Sequence, residues 1–251
     1  MRLSFLPLIL TTAIIEMSSA GHHHHHHHHH HGHQHALGHA DLAQANKEYF
    51  NENKHLFQEW PHAQERRERT IAALLNYNKL DKESTTVLEF ACGSGLIAAG
   101  ILPHVKSVVG VDISDEAIKM LNEKAEQDGT PDRFKGVCAN IESDKDALQG
   151  QTFDLIYCSS AYHHFENPSA ITKVLASYLK SNGSLVVIDN VFTGEGVPDT
   201  HKHIVAYQGF SEGDMKRIFS DGGLEMTLYE VIPPSKQGDS DVFFAKGVPK
   251  A

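Results

Sequence analysis

Cysteine is scarce in this chain of 251 residues. Cys92, Cys138 and Cys158 form an odd set with no C-x-x-C pair, which excludes a disulfide framework and suits a reducing compartment. Positive charge is short as well. Lys and Arg number 22 against 32 Asp and Glu, a net charge of −10 with histidine neutral, which argues against a nonspecific grip on nucleic acid or an anionic membrane. The longest apolar run, Leu3–Ile15, is too short to span a bilayer comfortably. Internal repeats and a second hydrophobic core are also missing. What remains, 40 % apolar and 22 % charged, is ordinary globular composition, and its length suits one α/β domain.

Residues 1–40 stand apart. Arg2, the apolar stretch after it and the small residues Ser18 and Ala20 read as a secretory signal, while Met17 offers an alternative start. The tract "GHHHHHHHHHHGHQHALGHA" cannot pack a core, and it reads either as a purification tag or as a natural histidine-rich tail, because His33, His35 and His39 continue the bias. The expected division is therefore a signal-like, histidine-rich tail over 1–40 and one domain over 41–251.

From Ala43 to Asn78 the spacing predicts helix, and strands and helices then alternate. Strands are predicted at 85–91, 107–113, 132–138, 153–160 and 183–190. The helix after the first strand is stopped by Pro103, and a later one opens on Asn167-Pro168 and runs to Asn182-Gly183. Ser211 and Asp214 predict a capped helix. Two final strands share only the loop "PPSKQGD", too short for a parallel crossover, so they must be antiparallel, whereas the earlier alternation implies a parallel, doubly wound sheet.

Two features carry chemistry. The turn Cys92-Gly93-Ser94-Gly95 follows the first strand, where glycines let a ligand approach the backbone and a helix N-terminus favours negative charge. Asp112 lies 17 residues past Gly95 at the tip of the next apolar strand, where a carboxylate can cap the following helix or hold ribose hydroxyls. Both roles are expected of it. The turn is not the G-x-G-x-x-G of dinucleotide binders, since the third glycine falls late, at Gly100.

The segments "VLEFACGSG", "VVGVDIS", "FDLIYCSSAYHHF", "LKSNGSLVVID" and "GFSEGDMKRIFSDGGL", in that order, resemble class I S-adenosylmethionine-dependent methyltransferases, most of all the branch with ubiquinone- and menaquinone-type enzymes. The resemblance covers roughly residues 43–248. It implies a Rossmann-like α/β fold: a seven-stranded mixed sheet with an antiparallel terminal strand and helices on both faces. It implies S-adenosylmethionine as cofactor, with Glu89, Gly93 and Gly95 shaping the methionine pocket, Asp112 on the ribose and Ile113 against adenine. Asn140 sits where the family often has an aspartate for the adenine amino group, and Cys158 and Ser159 border the transfer site. Tyr49 and Phe50 resemble aromatic residues of an N-terminal lid.

A sulfonium methyl is already electrophilic, so transfer needs mainly positioning and exclusion of water. A base helps only where the acceptor must lose a proton, and His163 or His164 in "AYHHF" could supply it, or could hold the loop backbone. His201, His203 and Tyr207 could line the acceptor pocket. The expected partner is a small-molecule acceptor, with no nucleic acid and no membrane, and no catalytic metal is expected from isolated H-H and H-x-H pairs. The expected location is cytoplasmic, or the secretory pathway if residues 1–20 are a signal. Two other readings are a histidine-rich metal-binding protein with a methyltransferase-like scaffold and, less favoured, a nicotinamide oxidoreductase.

Overall fold

The computed structural model describes residues 39–55, 63–234 and 240–250, all within the unit Leu37–Ala251. The predicted tail therefore lies almost wholly outside the described residues. Two helices, α1 (His39–Glu52) and α2 (Ala63–Tyr77), precede the alternating part. There follow β1 (Thr86–Phe90), α3 (Leu96–Ile101), β2 (Ser107–Asp112), α4 (Asp115–Gln127), β3 (Phe134–Cys138) and β4 (Phe153–Ser159). The chain then forms α5 (Pro168–Ser177), β5 (Leu179–Asn190), α6 (Glu212–Asp221), β6 (Leu224–Ile232) and β7 (Val242–Pro249).

One sheet of seven strands runs in the order β3-β2-β1-β4-β5-β7-β6. The first five strands pair in parallel, and β7 runs antiparallel between β5 and β6. Placing β7 inside the sheet lets the short hairpin return β6 to the edge. Along β4 the burial alternates in destination: Leu155 and Tyr157 face the core under α2 and α4, whereas Ile156 and Cys158 face the core under α5 and α6. A sheet covered on both faces explains why its strands read as continuous apolar runs rather than alternating ones. Each such Leu, Ile or Val contributes roughly 1.5–3 kcal/mol by burial.

As expected, α3 stops just ahead of Pro103: its last residue is Ile101, its C-cap is Leu102, and Pro103 lies in the 3-10 turn Leu102–His104. Two local expectations are corrected. The helix predicted to reach Asn182-Gly183 ends at Ser177, because Leu179 is already paired with Phe153 at the start of β5. The apolar stripe through Tyr178 and Leu179 continues the helical spacing, but strand pairing captures it. Secondly, Asp112 does not cap α4. Ser114 does, its side chain accepting the Ala117 N–H at 3.1 Å. The predicted α6 cap is present in both halves: Ser211 Oγ accepts the Asp214 N–H and Asp214 Oδ2 accepts the Ser211 N–H.

Candidate active site

The strand order reverses between β1 and β4: the chain leaves β1 towards β2 and β3, then crosses back to β4 and β5. Ligands of open α/β sheets bind outside the carboxyl ends of the strands at such a point. The candidate residues collect there. Pairing of Val111 with Phe90, Phe90 with Cys158 and Cys158 with Val187 sets the ends of β2, β1, β4 and β5 level.

The backbone at the rim is bent to suit. Ala91, Gly93 and Gly95 have φ of 54°, 51° and 74°, and Ser160, just beyond β4, has φ 55°. Left-handed conformations at Ala91 and Ser160 are costly for residues with a Cβ, and such strain gathers at functional sites. Gly95 is required for packing as well: a Cβ there would lie 2.7 Å from the Phe134 ring and 2.8 Å from Leu121.

Asp112 is half-buried, and its carboxylate organises the turn. Oδ2 accepts the Gly93 N–H at 2.8 Å and Oδ1 accepts the Ser114 N–H at 2.9 Å. Burial pushes its pKa up, against the pull of these N–H groups. The two oxygens together offer about four acceptor sites, more than the backbone N–H groups of Gly93, Ser114 and Ile113 occupy. Ile113 is half-buried beside it, and its carbonyl accepts the Cys138 thiol at 3.6 Å. Asn140 is exposed beyond β3, with Oδ1 engaged by the Glu142 N–H.

Glu89 is only 3 % exposed and its Oε2 accepts the Ala98 N–H of α3 at 3.1 Å. One N–H of the first turn of α3 is thus served from inside the fold. Burial raises the Glu89 pKa to about 8, with Tyr157, its partner across the β1–β4 ladder, pulling the other way. Glu89 is consequently neutral at pH 7. A group whose folded pKa lies above its ordinary value contributes stability that is complete below that ordinary value and is lost as pH rises through the folded one. Between pH 4.5 and about 8 the protein should therefore lose stability on account of this residue. In Glu89→Gln, which can still accept the Ala98 N–H, urea midpoints should fall less over the same pH interval; an equal slope in both proteins would refute the assignment.

Cys158 is fully buried in the core under α5, where burial raises its thiol pKa, while Ser159 is half-buried at the strand end. Beyond them the 3-10 turn Tyr162–His164 presents the two histidines. The His163 side chain, 14 % exposed, places Nδ1 2.8 Å from Asp189 Oδ1. His164 Nδ1 lies 2.6 Å from the Ile204 carbonyl oxygen, and its ring meets Phe50 edge-on at 5.6 Å. Burial pushes the His164 pKa down to about 4.

Helix α1 closes this side. Asn46 donates to the Ile204 carbonyl at 3.0 Å, and Asn51 both accepts the Ser114 hydroxyl at 2.6 Å and donates to Asp115 at 3.0 Å. Tyr49 packs against Phe50 and, at 6.0 Å, against His203. The structure thus brings Tyr49, Phe50, His163, His164 and His203 into one group. His201 is not part of it and bonds its neighbour Thr200. Tyr207 is exposed and joins only through its backbone, whose N–H donates to the His163 carbonyl, while its hydroxyl reaches the Glu166 carbonyl. Among the described residues no group of three or more His, Cys, Asp or Glu is arranged to hold a metal ion, and no helix is long and apolar enough to cross a membrane.

Sequence reasoning passed over Asp189, Asn51 and Ser114. Asp189 carried the same signal as Asp112, a carboxylate at the end of the apolar run "LVVID".

A glycine turn, a carboxylate at the end of β2 and a switch-point crevice are the arrangement with which doubly wound proteins bind nucleotide-like cofactors. Comparison with known proteins makes this specific. Residues 88–187 match the family model for a methyltransferase domain. An uncharacterized methyltransferase of Schizosaccharomyces pombe is 32 % identical over 166 residues, covering 60 % of this chain and 57 % of the relative. The ubiquinone biosynthesis O-methyltransferase of Coxiella burnetii is 34 % identical over 100 residues, 39 % of this chain and 41 % of that enzyme. The chain thus spans about half the length of these curated relatives. In fold it resembles magnesium protoporphyrin IX methyltransferase from Synechocystis PCC 6803, solved with bound SAH, with TM-score 0.65, 17 % identity, and coverage of 84 % of this chain and 100 % of that one. Residues 88–187 thus match a methyltransferase domain, and the sheet around them has the fold of the Synechocystis enzyme.

Proposed function

We propose that the protein transfers a methyl group from S-adenosylmethionine to a small-molecule acceptor that gives up a proton. The observation that carries this reading is the placement, at level strand ends on either side of the switch point, of a carboxylate with spare acceptor sites and a histidine paired to a buried carboxylate. Asp112 and Asp189 sit at the ends of β2 and β5, three strand spacings or about 14 Å apart. That span accommodates cofactor and acceptor between them. When bound, S-adenosylmethionine supplies the electrophilic methyl, so the protein's task is alignment and exclusion of water.

Asp112 would accept the ribose hydroxyls, Ile113 would flank the adenine and Asn140 would meet its edge. Gly93 and Glu89 would shape the methionine end, with Gly95 holding the turn against α4. Ser159 and the backbone of Cys158 would border the reacting atoms. Tyr49, Phe50 and His203 would cover the acceptor from α1 and from the segment after β5, with His201 and Tyr207 at its outer mouth.

His163 is the proton acceptor in this reading. His164, driven to a pKa of about 4 by burial, is too weak a base at neutral pH and instead ties the turn to Ile204. The three free cysteines support a cytosolic location, and the acidic balance supports a small-molecule acceptor over nucleic acid.

Calorimetry on the whole chain should show binding of S-adenosylmethionine and none of NAD, and a metabolite screen with methyl-labelled cofactor should yield a labelled small molecule. Binding of NAD in place of S-adenosylmethionine would overturn the reading.

A further inference from the structure

Resting on the reading above, we propose that Asp189 is the positioning residue of this site: it holds His163 in the tautomer that keeps Nε2 bare for the acceptor's proton.

Asp189 is completely buried at the end of β5. Three donors converge on it. His163 Nδ1 lies at 2.8 Å from Oδ1, the Asn190 N–H donates to the same oxygen at 2.7 Å, and the His163 N–H donates to Oδ2 at 3.2 Å. An isolated carboxylate in such a place would take up a proton. Burial opposes ionisation here, but the facing His163 and these hydrogen bonds outweigh it, and the Asp189 pKa is held below its usual range.

An ionised carboxylate can only accept, so the Nδ1 facing it must carry hydrogen. In neutral imidazole that leaves Nε2 as the lone pair. The ring has little freedom to choose otherwise. One carboxylate grips both the backbone N–H and the side chain of His163, and the His163 carbonyl accepts the N–H groups of Ala206 and Tyr207 from the segment after β5. The same carboxylate would stabilise the imidazolium formed when Nε2 takes a proton.

His164 makes a useful contrast. Its Nδ1 also faces an acceptor, but that acceptor is the neutral Ile204 carbonyl, which supplies no countercharge. The other titratable groups around the pair are Cys158 and Tyr162, both raised by burial and uncharged, and His203, which packs on Tyr49. Lone hydrogen-bonded aspartates at strand ends often serve the fold alone, so the test needs a readout that a structural role would not move.

The whole protein, labelled with nitrogen-15 at histidine, should show the His163 ring as the Nδ1–H tautomer, identified by its disappearance in His163→Asn. An Nε2–H ring in the wild-type protein would overturn the proposal without any Asp189 variant. In Asp189→Asn the amide cannot accept from all three donors, so the tautomer should become mixed. Methyl transfer should fall by about 10²-fold or more, within the range of general-base help. His164→Asn should leave the His163 tautomer as it is. A wild-type tautomer in Asp189→Asn would reduce Asp189 to a structural residue. Should the wild-type chain transfer no methyl to any acceptor, the catalytic reading fails, while the tautomer measurement still decides whether Asp189 sets the ring.

Discussion

His163→Asn should lower turnover by about 10²–10⁴-fold while leaving the affinity for S-adenosylmethionine nearly intact, because a base acts on the acceptor's proton and not on the cofactor. Asparagine is the informative substitution. Its amide can still donate to Asp189 Oδ1, the partner that His163 Nδ1 meets at 2.8 Å, so the buried carboxylate keeps a donor. Alanine would leave that carboxylate short of a hydrogen bond, and a buried charged group without its partner destabilises the fold by itself. The acid limb of the pH profile should disappear in His163→Asn and persist in His164→Asn. Stopped turnover together with lost cofactor binding would mean that the substitution had disturbed the crevice rather than the base. Full turnover with an unchanged pH profile would remove proton transfer from the mechanism, leaving alignment alone.

Asp112→Ala should weaken cofactor binding by about 10- to 100-fold, since a hydrogen bond to a charged group is worth roughly 1.5–3 kcal/mol. The structure adds a second cost. The same carboxylate accepts the Gly93 and Ser114 N–H groups, so its removal also loosens the glycine turn and the approach to α4. Asp112→Asn separates the two contributions, because the amide oxygen can keep only one of the backbone bonds and its NH₂ group faces the other donor. Calorimetry on well-folded variants should therefore rank wild type above both. Wild-type affinity in a folded Asp112→Ala protein would take this residue out of the cofactor site.

The alternation of apolar strands and amphipathic helices, the antiparallel final pair, the glycine turn and the charge ending β2 were all legible in the chain itself. These are local signals: an apolar run, a turn residue or a cap is written within a few positions, and the physics that produces it acts over the same range. Even so, local competition was misjudged where two signals overlapped. Asp112 and Ser114 both suit a helix cap, and only the backbone path shows that Ser114 takes the Ala117 N–H while Asp112 turns back to Gly93. Leu179 fits the stripe of α5, yet its pairing with Phe153 makes it strand.

Tertiary structure alone decided the rest. The sequence placed two histidines side by side and offered no ground for preferring one. Their difference comes from partners far along the chain: Asp189, 26 residues from His163, and Ile204, 40 residues from His164. One partner is a charge and the other a neutral carbonyl, and strand pairing and the fold of the segment after β5 bring each into reach. The insertion of β7 between β5 and β6, and the packing of α1 over the crevice through Asn46 and Asn51, belong to the same category. Hydrophobic periodicity specifies which face of an element is buried; it carries no information about which distant polar group that element will meet. Sequence by itself therefore determined the alternating fold and the end of the sheet where the candidate residues gather, and the tertiary structure decided which distant group each of them meets.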